Sequence, residues 1–264
     1  MNRRQAAMVV ALGLFLAAGG AYLLLRARPR VHTVQLRDGR RLEGLIIPYR
    51  QGSYLVQSAD QCLIIPQSEF SRVDDARVEL HGLSAEGDAP IEYETFETIG
   101  VSGEVDIHAT MRWKNPHARV LNRVRWGYAR HEFGYLESLR VRDSFGRELP
   151  IEIQDRGEDR KLVSVHLDRP ALPGEEVVTT TSYREKSVTW RDGEEWVFRH
   201  TGDYPDNRLV TRTVQLPPGA AILEVDPEPL YRLETGERPL VMWRRYFLQG
   251  ERIPWEIRYR LPSP

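Results

Sequence analysis

The sequence predicts an all-β fold behind an amino-terminal membrane helix, with a small barrel followed by a larger antiparallel β-sandwich. Three observations carry that expectation. Apolar residues beyond residue 30 recur with a period of two, Asp-Gly and Pro-Gly reversals interrupt them at short intervals, and no amphipathic helical pattern of convincing length follows residue 30. The chain of 264 residues is long enough for a sizeable core in one or two domains.

The first element is the run AAMVVALGLFLAAGGAYLLL, residues 6–25, which contains no charge. A helix rising about 1.5 Å per residue over that length covers the roughly 30 Å hydrocarbon layer of a bilayer. Arg3 and Arg4 precede it, and Arg26, Arg28 and Arg30 follow it. Residues 1–30 are therefore expected to form a membrane anchor or signal segment. Cleavage after Gly19-Gly20-Ala21 is the alternative, but Tyr22 to Leu25 continues the apolar run past that point. The reading places a single-pass anchor through residues 6–25, with the body of the chain extracytoplasmic in a bacterial envelope, or secreted if the signal is removed. Cys62 is the only cysteine, so neither an internal disulfide nor a lipid-modified cysteine near the anchor is available.

Residues 31–74 break into short extended pieces. Val34 and Leu36 alternate with polar neighbours, Leu42 to Ile47 is extended, Tyr54-Leu55-Val56 follows a Gly-Ser turn, and Cys62 to Ile65 stops at Pro66. Asp38-Gly39 is a reversal signal, because Asp can bond its own backbone and Gly accepts positive φ. This strand order, with Gly44 in the second strand and a last short strand toward Phe70 and Val73, resembles the small SH3-like or Sm-like barrels over residues 33–73. The resemblance implies a strongly bent second strand at Gly44. Arg37, Arg40 and Arg41 cluster at the first turn, where charge discourages edge-to-edge pairing; with Arg26, Arg28 and Arg30 nearby they are also candidates for membrane-headgroup contact.

Residues 75–90 mix acids, Gly and Ser and are expected to be a linker to a domain over residues 91–264. There Val105, Ile107, Ala109 and Met111 alternate with polar residues, Val210 to Leu216 alternates in the same way, and Arg191-Asp192-Gly193 is a hairpin signal. Two packed antiparallel sheets hide one apolar face of each strand economically. The stretch YLESLRVRDSFGRELPIEI, followed by LVSVHLDRPALPGEEVVTTTSYR, resembles the noncatalytic β-sandwich domain of zinc aminopeptidases over residues 134–183. That resemblance implies a supporting domain, not the zinc chemistry.

Function classes narrow by exclusion. Lys plus Arg is 37 against 38 for Asp plus Glu, which argues against a general nucleic-acid binder. No phosphate-cradling or dinucleotide glycine pattern and no nucleophile elbow occurs. His131-Glu132 has Tyr135 where a zinc helix needs its second His. The chain is read as non-enzymatic, without a cofactor. Asp203, Asp206 and Asn207 form a candidate calcium loop that an Asx turn explains equally well. His108 and His166 lie on alternating strands and could meet across a sheet. Trp126, Tyr128, Trp190 and Trp196 are the candidate ligand or partner surface, because their rings offer broad apolar contact with polar tips. Trp190 and Trp196 straddle Asp192-Gly193 and could pair across that hairpin. The expectation is a noncatalytic, membrane-anchored extracytoplasmic scaffold or protein-interaction module that binds an envelope protein or polysaccharide. A carbohydrate-binding envelope module is the alternative.

Overall fold

The computed structural model describes residues 31–50, 52–59, 61–73, 90–129, 136, 138–158, 160–204, 206–234 and 237–262. Among them there is no α-helix, and no helix long and apolar enough to cross a membrane. This corrects the expected fold class to an essentially all-β one. The single-pass anchor, the extracytoplasmic placement, the membrane partnership and the anchored-scaffold reading are corrected with it. Residues 6–25, on which all of them rested, lie outside the described residues. Length and hydropathy state only that a segment could span a bilayer; the described strands pair into sheets.

The first sheet contains β1 (His32–Leu36), β2 (Arg41–Pro48), β3 (Ser53–Gln57), β4 (Cys62–Pro66) and β5 (Phe70–Val73), in the order β4-β3-β2-β1-β5. A 3-10 turn at Gln67–Glu69 returns the chain so that β5 pairs with β1. Gly44 is needed here for a steric reason. A Cβ on it would stand 2.2 Å from the carbonyl oxygen of Gln57, so only glycine lets β2 bend that closely over β3. Val34, Leu36, Tyr54, Val56, Ile65 and Phe70 fill the interior, with Tyr54 and Phe70 edge-to-face at 5.5 Å.

The larger body begins with β6 (Ile91–Ile99) and β7 (Val105–Lys114). A mixed sheet of seven strands joins these to β9 (Arg140–Asp143), β12 (Glu176–Glu185), β15 (Arg208–Gln215), β17 (Tyr231–Leu233) and β18 (Leu240–Phe247). Its order is β17-β18-β15-β6-β7-β12-β9. The β15–β6 pair is parallel, which corrects the expectation of a wholly antiparallel sandwich. Parallel neighbours cannot be joined by a tight turn, and here more than a hundred residues separate them.

Two smaller sheets cover the inner face. One is β13 (Thr189–Asp192), β14 (Glu195–Asp203), β19 (Arg252–Arg260) and β16 (Ala221–Asp226); the other is β10 (Ile151–Asp155), β11 (Arg160–Ala171) and β8 (Leu121–Ala129). Val210, Val214, Val241 and Trp243 pack against Phe198, Trp255, Ile257 and Tyr259 of the four-stranded sheet. Val141 meets Val163 and Val165 of the three-stranded sheet, and Trp113 and Val177 meet Ala171. Each large apolar side chain buried this way contributes about 1.5–3 kcal/mol.

The barrel docks on the outer face of the seven-stranded sheet. Strand β3 is apolar on both sides: Tyr54 and Val56 face the barrel interior, while Leu55 joins Cys62, Leu209 and Tyr246 in a separate cluster. The Tyr246 amide donates to Gln57 Oε1 at 2.9 Å, and Arg50 holds Glu92 through two guanidinium contacts, one of them 2.9 Å. Burial in this joint pushes the Cys62 thiol up to about 11.

Candidate functional site

Alternation sends every second residue of the seven-stranded sheet outward, and the barrel covers only the corner around Leu209 and Tyr246. Beyond that corner, outward Glu94, Phe96 and His108 are exposed. One continuous row of direct cross-strand neighbours runs over all seven strands: Tyr231, Met242, Thr213, Phe96, His108, Ser182 and Arg140. Phe96 is 41% exposed and Tyr231 48%. Three strand spacings separate these two rings, or about 14 Å.

The next row is polar. Arg244, Thr211, Glu94, Thr110, Thr180 and Arg142 follow one another across the sheet. Thr110 and Thr180 place their hydroxyls 3.5 Å apart, and Arg244 Nε donates to Thr211 Oγ1 at 3.3 Å. The face thus presents two apolar rings beside hydroxyls, an imidazole and planar guanidinium groups, all on rigid strands.

Beyond the end of β12, between the β6–β7 turn and the start of β13, lies a cleft of about 370 Å³ lined by Ser102, Gly103, Glu104, Arg184, Lys186 and Thr189. Arg184 forks onto Asp106 at 2.7 and 3.1 Å, which raises its pKa above the usual arginine value. The Ser102 hydroxyl donates to Glu104 and holds that carboxyl below its ordinary range. Gly103 has φ +87, and a Cβ there would lie 2.5 Å from the Trp196 ring, so the β6–β7 turn is pinned on that indole.

The aromatic residues singled out in the sequence are not brought together. Trp126 packs half-buried against the core of the three-stranded sheet; Tyr128 lies on β8, with its side chain outside the described residues. Register sets Trp190 opposite Val197 and Trp196 opposite Arg191, so the two indoles occupy opposite faces of their hairpin and do not pair. Trp196 turns inward and stacks on Tyr259, rings 6.5 Å apart at 15°. Trp190 stays outside, 40% exposed, with the Arg199 guanidinium 5.6 Å from its centroid. Trp113, Trp243 and Trp255 are core.

The remaining candidates are dispersed. Arg40 is engaged by Asp38 at 2.6 Å, and Arg37 and Arg41 are exposed at the same barrel turn, away from the sheet face. The Asp203 side chain is outside the described residues, Asp206 bonds Arg208, and Asn207 Oδ1 accepts from the Gln249 amide at 2.7 Å. No group of three metal-ligating side chains exists among the described residues. His108 and His166 sit in different sheets, and His131 is outside the described residues. Phe96, Tyr231 and the cleft escaped sequence reading. The available signal was the outward position of Phe96 in YETFET, between inward Thr95 and Glu97.

No family model and no curated protein matches the chain. Among solved structures it is similar to an M1 zinc metallopeptidase from Deinococcus radiodurans, at 12% identity over 65% of this chain and 41% of that one, TM-score 0.40. It is also similar to native leukotriene A4 hydrolase from Saccharomyces cerevisiae, at 11% identity over 65% of this chain and 29% of that one, TM-score 0.43. The chain spans well under half the length of either. The likeness is distant and partial.

Proposed function

We propose that the chain is a noncatalytic carbohydrate-binding module whose ligand lies along the open face of the seven-stranded sheet. The observation that carries this is the Tyr231-to-Arg140 row, with its two exposed rings. A sugar presents an apolar face of C–H bonds and an equatorial rim of hydroxyls. Aromatic rings serve the first, and Thr, Ser, His and Arg side chains serve the second. Mounting them on strands keeps the entropy cost of binding low. The core-bound tryptophans contribute stability, and their rings do not reach the ligand.

Affinity electrophoresis against a panel of soluble polysaccharides tests this. Phe96→Ala and Tyr231→Ala should each weaken binding about fivefold, in line with roughly 1 kcal/mol for a lost aromatic contact. Circular dichroism should be unchanged, because both rings are on the surface. Absence of retardation by every polysaccharide, or retention of full binding by the double variant, overturns the reading.

A further inference from the structure

The open face is not uniform in charge. Its β17–β6 half holds the rings, whereas its β12–β9 edge carries Arg140, Arg142 and Arg184, and Lys186 lies just beyond the end of β12. Some of these cations are already matched: Arg184 by Asp106, and Arg140 by Glu148 at 3.8 Å. Arg142 and Lys186 have no carboxylate partner among the described residues. Both are exposed. Lys186 lines the cleft, whose carboxylate, Glu104, is bonded by Ser102.

The cleft is also preformed. The left-handed Gly103 sits against Trp196, and its carbonyl accepts from the Thr189 hydroxyl, which ties the β6–β7 turn to the start of β13. A rigid polar cleft whose ammonium has no carboxylate partner among the described residues, at the end of the strand that carries Ser182 of the open row, suits a ligand that bears negative charge at intervals along a hydroxylated chain. We infer that the ligand is an acidic polysaccharide, with a uronate carboxylate seated in the cleft against Lys186 and a second carboxylate, several sugar residues along the chain, at Arg142, which lies six strand positions or about 20 Å away. This rests on the carbohydrate-binding reading of the sheet face.

The test uses the full chain with three soluble probes: polygalacturonate, its fully methyl-esterified form, and polyglutamate. Esterification removes the charge and keeps the sugar; polyglutamate keeps the charge and removes the sugar. Polygalacturonate should bind at least about tenfold more tightly than its ester, as expected for a charge-assisted hydrogen bond. Lys186→Gln with Arg142→Gln should erase that advantage, while Lys186→Arg should retain most of it. The preference should also decline with added salt. Equal binding of acid and ester, with Phe96→Ala still weakening both, overturns the acidic ligand and leaves the carbohydrate reading standing. Equal binding of polyglutamate overturns it as well, as does a preference that survives the double substitution. Failure of both galacturonans to bind at all counts against this ligand, and failure across the neutral panel as well counts against the carbohydrate reading.

Discussion

Strand β6 carries two buried glutamates, five residues apart on opposite faces of the same sheet, and their surroundings differ sharply. Glu92 points outward beneath the edge of the barrel. It is gripped by Arg50 through two contacts and approached by Arg112 at 3.7 Å, both arginines remaining partly in water. Glu97 points into the sandwich. Its one ionic partner among the described residues, Arg212, is equally buried, with Nε 3.3 Å from Oε1, and neither carboxylate oxygen has a hydrogen-bond partner. The Arg212 guanidinium lies instead 4.4 Å from the Trp255 ring centroid. A carboxylate whose partners stay wet can bind two domains together at low desolvation cost. A dry pair must recover the whole cost from its mutual attraction, and that makes it sensitive to loss of either member.

The largest effect should come from splitting the dry pair. Arg212→Met leaves Glu97 buried without its ionic partner, and urea denaturation should show a loss of about 3–5 kcal/mol. Replacing both residues with apolar ones of similar volume should return most of it. If the single variant is as stable as the parent, the inner pair does not differ from the outer one in the way described.

Acidity sharpens the contrast next. Burial, reinforced by the positive charge of Arg212, holds the His200 imidazole well below its ordinary 6.5, and its Nδ1 has no hydrogen-bond partner. The folded state binds that proton less readily than the unfolded chain does. Stability should therefore fall as pH drops below 6.5, by at most about 1.4 kcal/mol per unit. Glu97 works in the opposite sense: burial raises its pKa above 4.5 in spite of Arg212, so its contribution declines as pH rises from there toward the folded value. Melting temperature against pH should flatten below 6.5 in His200→Gln. An unaltered slope would contradict the assignment.

A smaller effect is expected on the outer side. Arg50→Met leaves Glu92 with Arg112 and access to water, so about 1 kcal/mol should be lost, and less at high salt. A loss as large as that of Arg212→Met would erase the distinction between the faces. Arg40→Ala should be the mildest change, with no measurable shift in melting temperature, because the ion pair it makes with Asp38 at the barrel turn is exposed on both sides.

Much of the strand pattern was legible in the sequence. Val105, Ile107 and Ala109 turn inward as their alternation requires, and Asp38-Gly39 and Asp192-Gly193 make their turns, with Gly39 at φ +89 and Gly193 at φ +64. Alternation also placed Arg212 on the inward side of β15, between Val210 and Val214, but no local signal says that an inward arginine will stay there; Glu97, from a strand more than a hundred residues away, decides it. The parallel β15–β6 pair is hidden for the same reason. The site was least legible. Exposure of Phe96 and Tyr231 depends on which part of the outer face the barrel covers, and tryptophan, the residue that first suggests a sugar platform, is largely spent on the core. The uninterrupted apolar run Tyr54-Leu55-Val56 did contain a clue: a strand apolar on both faces needs a second surface to pack against.

That second surface gives the chain a built-in clock. Its single thiol, Cys62, is sealed in the joint between barrel and sheet and is protonated at neutral pH. A thiol-reactive dye can reach it only when the joint parts, so the labelling rate counts openings of that joint and is blind to fraying elsewhere. With saturating reagent the observed rate becomes the opening rate itself, and the time the two bodies stay docked can be read from one cysteine without adding a probe.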